Sequence, residues 1–323
     1  MRYAFRWIAV LCVPFLLWGC ESSLDAPDAP ATLPDQARTA TALLPHNARM
    51  MAMVDLQQMR TNGPAPLRDA FSEISNPSLS ESGALQDFLA ESGLDVTRDV
   101  ERVYLTHSEE ETKAPHLVLT GSFDRDRIGT ALQSQAGRDF QTVDVAGTPV
   151  FSFHSGSNGA SDVALAVLNN DLMVIAPSVQ DIETMINRSS NGTAPDDALL
   201  RAAAQGQSAW YVLRDFGEPS SSNAPDRMEQ LGAALQDMAG GFTFTDDGAL
   251  DGVLTLVPRS DARSSDVADV VRGLIAAAKQ SSEIDSDARR ALDRAEVRVN
   301  DGTVTVTAYL PASLVERLAR RGT

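Results

Sequence analysis

The sequence has very few cysteines and histidines for a chain of 323 residues. Its two cysteines, Cys12 and Cys20, cannot build the disulfide framework of a small exported domain or a site with several thiolate ligands. The four histidines are scattered along the chain. A chain of this length can bury a large apolar core, so we expect packing to stabilise the fold without cross-links.

Lysine is nearly absent, with only Lys113 and Lys279, and the net charge at neutral pH is −17. Such an acidic surface repels phosphate backbones, so we expect no nucleic-acid binding. It also matches anionic lipid poorly, which excludes a basic patch as the means of membrane attachment. Two explanations of this composition stay open: adaptation to high salt, which screens the self-repulsion, or a genome that favours arginine over lysine.

The first nineteen residues have the composition of a secretory signal. Arg2 and Arg6 are followed by an apolar run at residues 8–18, which Pro14 interrupts. A membrane-spanning helix needs about 20 apolar residues, so this run is too short to span a bilayer. The pattern therefore predicts a signal peptide over residues 1–19 in preference to a transmembrane helix.

The signal ends in Leu17-Trp18-Gly19-Cys20, which resembles the lipobox of bacterial lipoproteins. The resemblance implies that the Cys20 thiol carries a diacylglyceryl group, that cleavage precedes Cys20, and that the new amine is acylated. Three acyl chains would anchor the protein firmly, because one chain alone gives only marginal binding. A lipidated Cys20 could not act as a nucleophile. In such lipoproteins an Asp directly after the cysteine is linked to retention at the inner membrane. Here that residue is Glu21, which favours the outer membrane. The alternative is an ordinary signal peptide with a chance cysteine.

Residues 20–41 are rich in proline, alanine, serine and aspartate and show no apolar period. This composition predicts a flexible acidic tether between the anchor and the folded part.

Two later segments share one order of elements: a strand, a turn with Asn and Asp, a second strand, and a helix that begins near Pro and Ser. They cover residues 163–186 and 295–318, and in the second segment Asn300-Asp301-Gly302 is a strong hairpin turn. We therefore predict an α+β fold of two pseudo-repeated modules, 42–197 and 198–323, each an antiparallel sheet with helices packed on one face. The pattern resembles bacterial envelope lipoproteins with a duplicated α+β module, whereas chance similarity of two generic hairpins is the alternative.

Between these hairpins, periodicity predicts a helix that begins at Asp124 and turns Ile128 and Leu132 towards the core. It also predicts a hairpin of alternating strands over residues 142–153, with its turn at Ala146-Gly147.

The residues that could carry chemistry form no pattern specific enough to assign a catalytic, cofactor or metal site. His107, Glu109 and His116 could converge as metal ligands at the ends of neighbouring strands, but a solvated loop explains them more simply. The acidic segment 246–251 is similar to a calcium loop without the EF-hand spacing, so we predict a hairpin turn there.

The sequence thus predicts a lipid-anchored envelope protein that acts as a non-catalytic binding or interaction module. It would meet the membrane through the lipid on Cys20 and could bind an envelope protein partner, with no cofactor. The alternatives are a structural or assembly role, and a hydrolase that uses carboxylates such as Asp144 or Asp215.

Overall fold

The structure is a computed structural model. It describes residues 33, 35–45, 48–66, 68, 93–107, 115–134, 140–154, 162–190, 198–215, 231–282 and 284–322. The signal segment and Cys20 lie outside these ranges, so the predictions for them stay predictions. None of the described helices combines the length and hydropathy that a bilayer crossing requires.

The folded chain divides into two compact units. The first comprises Leu33–Arg60 and Arg68–Asp196, and the second comprises Thr61–Leu67 and Asp197–Thr323. Up to residue 190 the described elements are, in order, α1 (Asp35–Leu43), β1 (Met50–Asp55), α2 (Leu56–Asn62), α3 (Val96–Asp99), β2 (Val100–His107), β3 (His116–Gly121), α4 (Arg125–Ser134), β4 (Phe140–Val145), β5 (Thr148–His154), β6 (Asp162–Asn169), β7 (Leu172–Ala176) and α5 (Val179–Ser190).

The strands of the first unit form an antiparallel sheet in the order β1-β2-β3-β7-β6-β5-β4. On one face, Phe151, Leu165 and Val167 form a buried cluster with Ile128 of α4. Neighbouring strand residues point to opposite faces, so Ala166 belongs to the other face, against which α5 packs. The first unit thus has helices on both faces of its sheet.

The second unit continues the chain with α6 (Ala198–Ala203), β8 (Ala209–Leu213), β9 (Leu235–Phe244), β10 (Leu250–Pro258), α7 (Ser264–Gln280), α8 (Ser286–Leu292), β11 (Glu296–Asn300), β12 (Thr303–Leu310) and α9 (Ala312–Gly322). Its strands pair antiparallel in the order β8-β9-β10-β12-β11. The buried side of α7 carries Val267, Val271 and Leu274 and packs on the face that bears Leu254 and Val306.

The predicted α+β fold with antiparallel sheets is confirmed. The order β8-β9-β10-β12-β11 corresponds strand for strand to β1-β2-β3-β7-β6, and no described part of the second unit forms a counterpart of the β4–β5 hairpin. Duplication of one module stays a prediction. The expected placement of helices on one face differs from the structure in both units. In the first, α4 crosses the face opposite to α5. In the second, α6 lies beside Gly241, on the face opposite to the one that bears Leu254 and packs against α7.

Helix α1 overlaps the last part of the segment for which we expected a flexible tether, residues 20–41. Ala37, Ala40 and Thr41 of this helix are buried, and α1 packs against α5 and β3. The buried positions recur at helical spacing, which favours a packed helix over a tether. The prolines of the preceding residues hid this short period in the sequence.

Candidate functional site

A groove of about 370 Å³ lies between α4 and the strands β5 and β6 of the first unit. Its floor is apolar and its rim is polar. The lining residues are Arg125, Asp126, Gly129, Thr130 and Gln133 of α4, Pro149 and Phe151 of β5, and Val167 of β6. A pocket of this size falls at the small end of the range in which proteins hold small molecules.

Helix α4 is fixed in place by its cap and by its apolar side. The Asp124 carboxylate accepts the Arg127 N–H at 3.0 Å, and the Asp124 carbonyl accepts the Ile128 N–H at 2.9 Å. Ile128 and Ala131, three residues apart, are buried and set the rotation of the helix. Arg125 and its neighbours at helical spacing are thereby left to line the groove.

The floor of the groove is the outer surface of the apolar core. Phe151 and Val167 are each 2% exposed and belong to the same cluster as Ile128. Gly129 leaves space above them, because a Cβ added there would lie 3.7 Å from Cζ of Phe151. A larger side chain at position 129 would therefore enter the groove.

The polar groups of the rim are available to a ligand. Among the described residues, the side chains of Arg125, Asp126 and Gln133 have no hydrogen-bond or ion-pair partner. Thr130 is the exception, since its hydroxyl donates to the Asp126 carbonyl at 2.8 Å. The rim thus offers donors and an acceptor beside an apolar floor, the arrangement that orients a bound molecule.

A separate polar cluster is buried at the end of β1 in the first unit. The Asp55 carboxylate, 2% exposed, accepts the Arg102 Nε–H at 2.7 Å and the Gln58 N–H at 2.7 Å, and so caps α2. Burial raises the pKa of the nearby Tyr104 to about 12. The charge of Arg102 lowers this pKa and the charge of Asp55 raises it, each by less than burial does. Since both Asp55 oxygens are satisfied, this cluster has a structural role.

Two of the three metal-site candidates, His107 and His116, lie within the described residues. His107 ends β2 and His116 begins β3, whereas Glu109 lies outside the described residues. His116 Nε2 lies 3.6 Å from an Asp181 oxygen of α5. Within the described ranges, no three His, Cys, Asp or Glu side chains are placed to share a metal ion.

The acidic segment 246–251 forms the predicted hairpin turn between β9 and β10. The Asp247 carboxylate accepts the Thr245 hydroxyl and the Ala249 N–H, and these bonds lower the pKa of Asp247. Gly248 has a φ of 82°, which glycine adopts readily. These oxygens are used inside the turn, so the segment shows no calcium-loop geometry.

Asp144 and Asp215, the candidate hydrolase carboxylates, belong to different units and are both exposed. Asp144 accepts the Gly147 N–H at 3.0 Å in the β4–β5 turn. The Asp215 N–H donates to Asp237 at 3.0 Å, with the Asp215 backbone at a φ of 49°. Neither position has the burial that tunes a catalytic carboxylate.

The groove residues were missed by the sequence analysis, although the helix that carries them was predicted. The available signal was the spacing of Arg125, Gly129 and Gln133, each four residues from the next, which puts a glycine between two polar residues on one side of α4. The facing residues of β5 and β6 could not be assigned to this helix before the topology was known.

No protein-family profile matches the chain, and no curated protein is similar to it in sequence. Two solved crystal forms of TP0453 are similar in structure. Crystal form IV is 11% identical with a TM-score of 0.50, and the match covers 90% of this chain and 97% of that one. Crystal form I is 10% identical with a TM-score of 0.48, covering 90% and 98%. At such identities the likeness to crystal form IV shows the fold alone.

Proposed function

We propose that this chain is a lipid-anchored envelope protein that acts by binding without catalysis, and that the groove beside α4 is its ligand site. The observation that carries the proposal is the apolar floor of Phe151 and Val167, bordered by the side chains of Arg125, Asp126 and Gln133, which have no partner among the described residues. Because Phe151 and Val167 are already buried, the apolar area that binding removes from water is mainly the ligand's own, while the rim groups supply orientation.

The chemistry of the lining favours a small amphipathic ligand. An aromatic or branched apolar group would cover Phe151 and Val167, and its polar end would reach Arg125 or Gln133 at the rim. Asp126 adds an acceptor on the same helix, so a ligand with its own donor also fits. The groove is lined on one side by a helix and on the other by a sheet, which makes it largely preformed.

Filling the groove at Gly129 tests this site. We expect Gly129→Leu to weaken binding of the fluorescent apolar amine N-phenyl-1-naphthylamine at least tenfold, because the new side chain occupies the space above Phe151. Leucine favours a helix over glycine by up to about 1 kcal/mol, so the fold should survive.

Asn187→Leu on the exposed side of α5 is the matched control for added apolar surface. Equal affinity of the wild type and Gly129→Leu, read from the titration of probe fluorescence, would refute the groove as the site. A loss of affinity in Asn187→Leu alone would do the same.

The anchor rests on the Leu17-Trp18-Gly19-Cys20 segment, and its test is independent of the groove. We expect Cys20→Ala to leave an uncleaved precursor that takes up no labelled palmitate, whereas Cys12→Ala is processed and labelled like the wild type. Normal processing and labelling of Cys20→Ala would refute lipid anchoring and leave the groove proposal untouched.

A further inference from the structure

Strand β4 is an edge strand of the sheet in the first unit. Its register shows which of its backbone N–H and C=O groups do not bond to β5. It pairs with β5 from Val145↔Thr148 to Phe140↔Phe153 without a bulge. The two-residue turn between them has φ values of 51° at Ala146 and 82° at Gly147, as in a tight hairpin.

In such a hairpin the pair that flanks the turn is hydrogen-bonded, and bonded pairs then alternate with non-bonded pairs. Val145 and Val143 therefore use their backbone groups towards β5. The N–H and C=O groups of Phe140, Thr142 and Asp144 point away from the sheet. Among the described residues nothing bonds to these outward groups.

The edge of the second unit is protected, whereas no described residue covers the edge at β4. On β11 the outward carbonyl of Val297 accepts a hydrogen bond from Arg272 Nη2 of α7 at 3.1 Å. The same strand carries an ion pair between Arg298 and Glu296, with 2.8 Å between their atoms. Charged side chains and blocked backbone groups are the means by which proteins prevent strand addition. Among the described residues no side chain blocks the outward backbone groups of β4, which contains no lysine, arginine or proline and has Asp144, next to the turn, as its one charged residue.

We propose that β4 pairs with β4 of a second copy of this chain, antiparallel and centred on Val143. In this register Thr142 of each copy faces Asp144 of the other, so their outward groups form four backbone hydrogen bonds. The two Val143 side chains meet at a non-bonded pair, where side chains lie closest. Val143 is 39% exposed and, with Val299, is one of the two large apolar side chains recorded as exposed among the described residues.

The net charge of the chain opposes self-association, but this edge carries little of that charge. Each chain carries a net charge of −17, yet residues 140–143 are uncharged, so this is a place where two acidic copies can approach. The Val143-centred register sets Asp144 against Thr142 and never against the other Asp144. The contact is short, well below the roughly 1,200 Å² of a standard stable interface, so association is weak in solution. The pairing does not require the lipid anchor, although anchoring would concentrate the copies.

Substitution of the two exposed edge valines separates the proposal from general charge effects. We expect Val143→Lys to lower the self-association constant about tenfold or more in analytical ultracentrifugation, because the change enters the symmetric contact twice. Val299→Lys on β11 alters the net charge equally and should associate like the wild type. Wild-type association should rise with NaCl, since salt screens the repulsion between acidic copies.

A disulfide test fixes the register on the purified full chain in detergent. We expect Val143→Cys to form a covalent dimer rapidly with diamide, at least tenfold faster than Val299→Cys. The wild type is treated in parallel. A covalent wild-type dimer would show that Cys20 has a free thiol and is not lipidated, a result that is independent of strand pairing. A wild type that stays monomeric at high salt overturns the proposal, as do equal cross-linking rates or a Val143→Lys protein that still dimerises. Association that weakens with salt would indicate a contact between opposite charges instead of this uncharged edge, and would also overturn it.

Discussion

For the buried ion pair between Asp55 and Arg102, we expect substitution of the two members to destabilise the fold by different amounts. Asp55 is 2% exposed, whereas Arg102 is 27% exposed and keeps contact with water. Arg102→Met retains the apolar stem and removes the charge, which leaves a buried carboxylate with the Gln58 N–H as its remaining partner. Removing one member of a buried pair costs about 3–5 kcal/mol. Because Arg102 is partly exposed, we expect the free energy of unfolding to fall by about 3 kcal/mol.

Asp55→Asn should cost less, about 1–2 kcal/mol. Asparagine caps a helix as well as aspartate does, so α2 keeps its hydrogen bond from Gln58. The charge left behind belongs to Arg102, which water can reach, so the penalty is the loss of one charged hydrogen bond.

Urea unfolding followed by circular dichroism gives the two free energies, and hydrogen exchange in β1 and β2 shows whether the loss is local. The control is Arg320→Ala, because Arg320 and Glu316 lie 3.6 Å apart with side chains 67% and 45% exposed. An exposed pair of this kind contributes about 0–1 kcal/mol. If Asp55→Asn cost as much as Arg102→Met, unequal burial would not be what governs the pair.

Three further predictions concern pH and salt. The pKa of Asp287 is lowered to about 2 by hydrogen bonds from the Ser313 hydroxyl, Arg290 and Arg317. The ionised carboxylate therefore stabilises the fold above about pH 4, and this stabilisation is lost as the pH falls towards 2. Asp287→Asn should make the urea midpoint less dependent on pH between these values. Burial raises the pKa of Tyr104 to about 12. The neutral phenol therefore stabilises the fold below about pH 10, and this stabilisation is lost as the pH rises towards 12. Tyr104→Phe should remove the step at the highest pH from an ultraviolet absorbance titration. The net charge of −17 predicts a thermal midpoint that rises with NaCl, and a falling midpoint would contradict charge repulsion as a destabilising term.

Local signals predicted the elements near the groove but not the groove itself. The cap residue Asp124 and the apolar Ile128 predicted α4, and Ala146-Gly147 predicted the turn between β4 and β5. These signals depend on neighbours within a few residues of each other. The contact of Gly129 with Phe151 depends on a crossover of α4 over the sheet, which no local pattern specifies.

The tether illustrates the opposite error, in which composition outweighed a real period. Pro27, Pro30 and Pro34 gave residues 20–41 the appearance of a linker, yet Ala37 and Ala40 are buried in α1. Alanine contributes little to a hydropathy pattern, because its apolar area is small. A helix held by alanine contacts is therefore visible mainly through its packing against α5.

Both sheets are covered by helices on their two faces, and the burial of their strands reflects this. Leu165, Ala166 and Val167 of β6 form a continuous apolar run, typical of a strand covered on both faces, and α4 and α5 cover it. On β9, residues 238–242 are likewise all buried. A Cβ at Gly241 would meet the Ala203 carbonyl of α6, whereas one at Gly240 would meet Tyr211 on the opposite face, which bears Leu254.

In the second unit α7, α8 and α9 contact one another in succession, so the helices after β10 share the face of the terminal helix. In the first unit α4 instead crosses the face opposite to α5, and this crossing creates the groove over Phe151. The helix that follows the third strand, α4 in one unit and α7 in the other, therefore lies differently relative to the terminal helix, and the local periodicity of the sequence does not specify this choice.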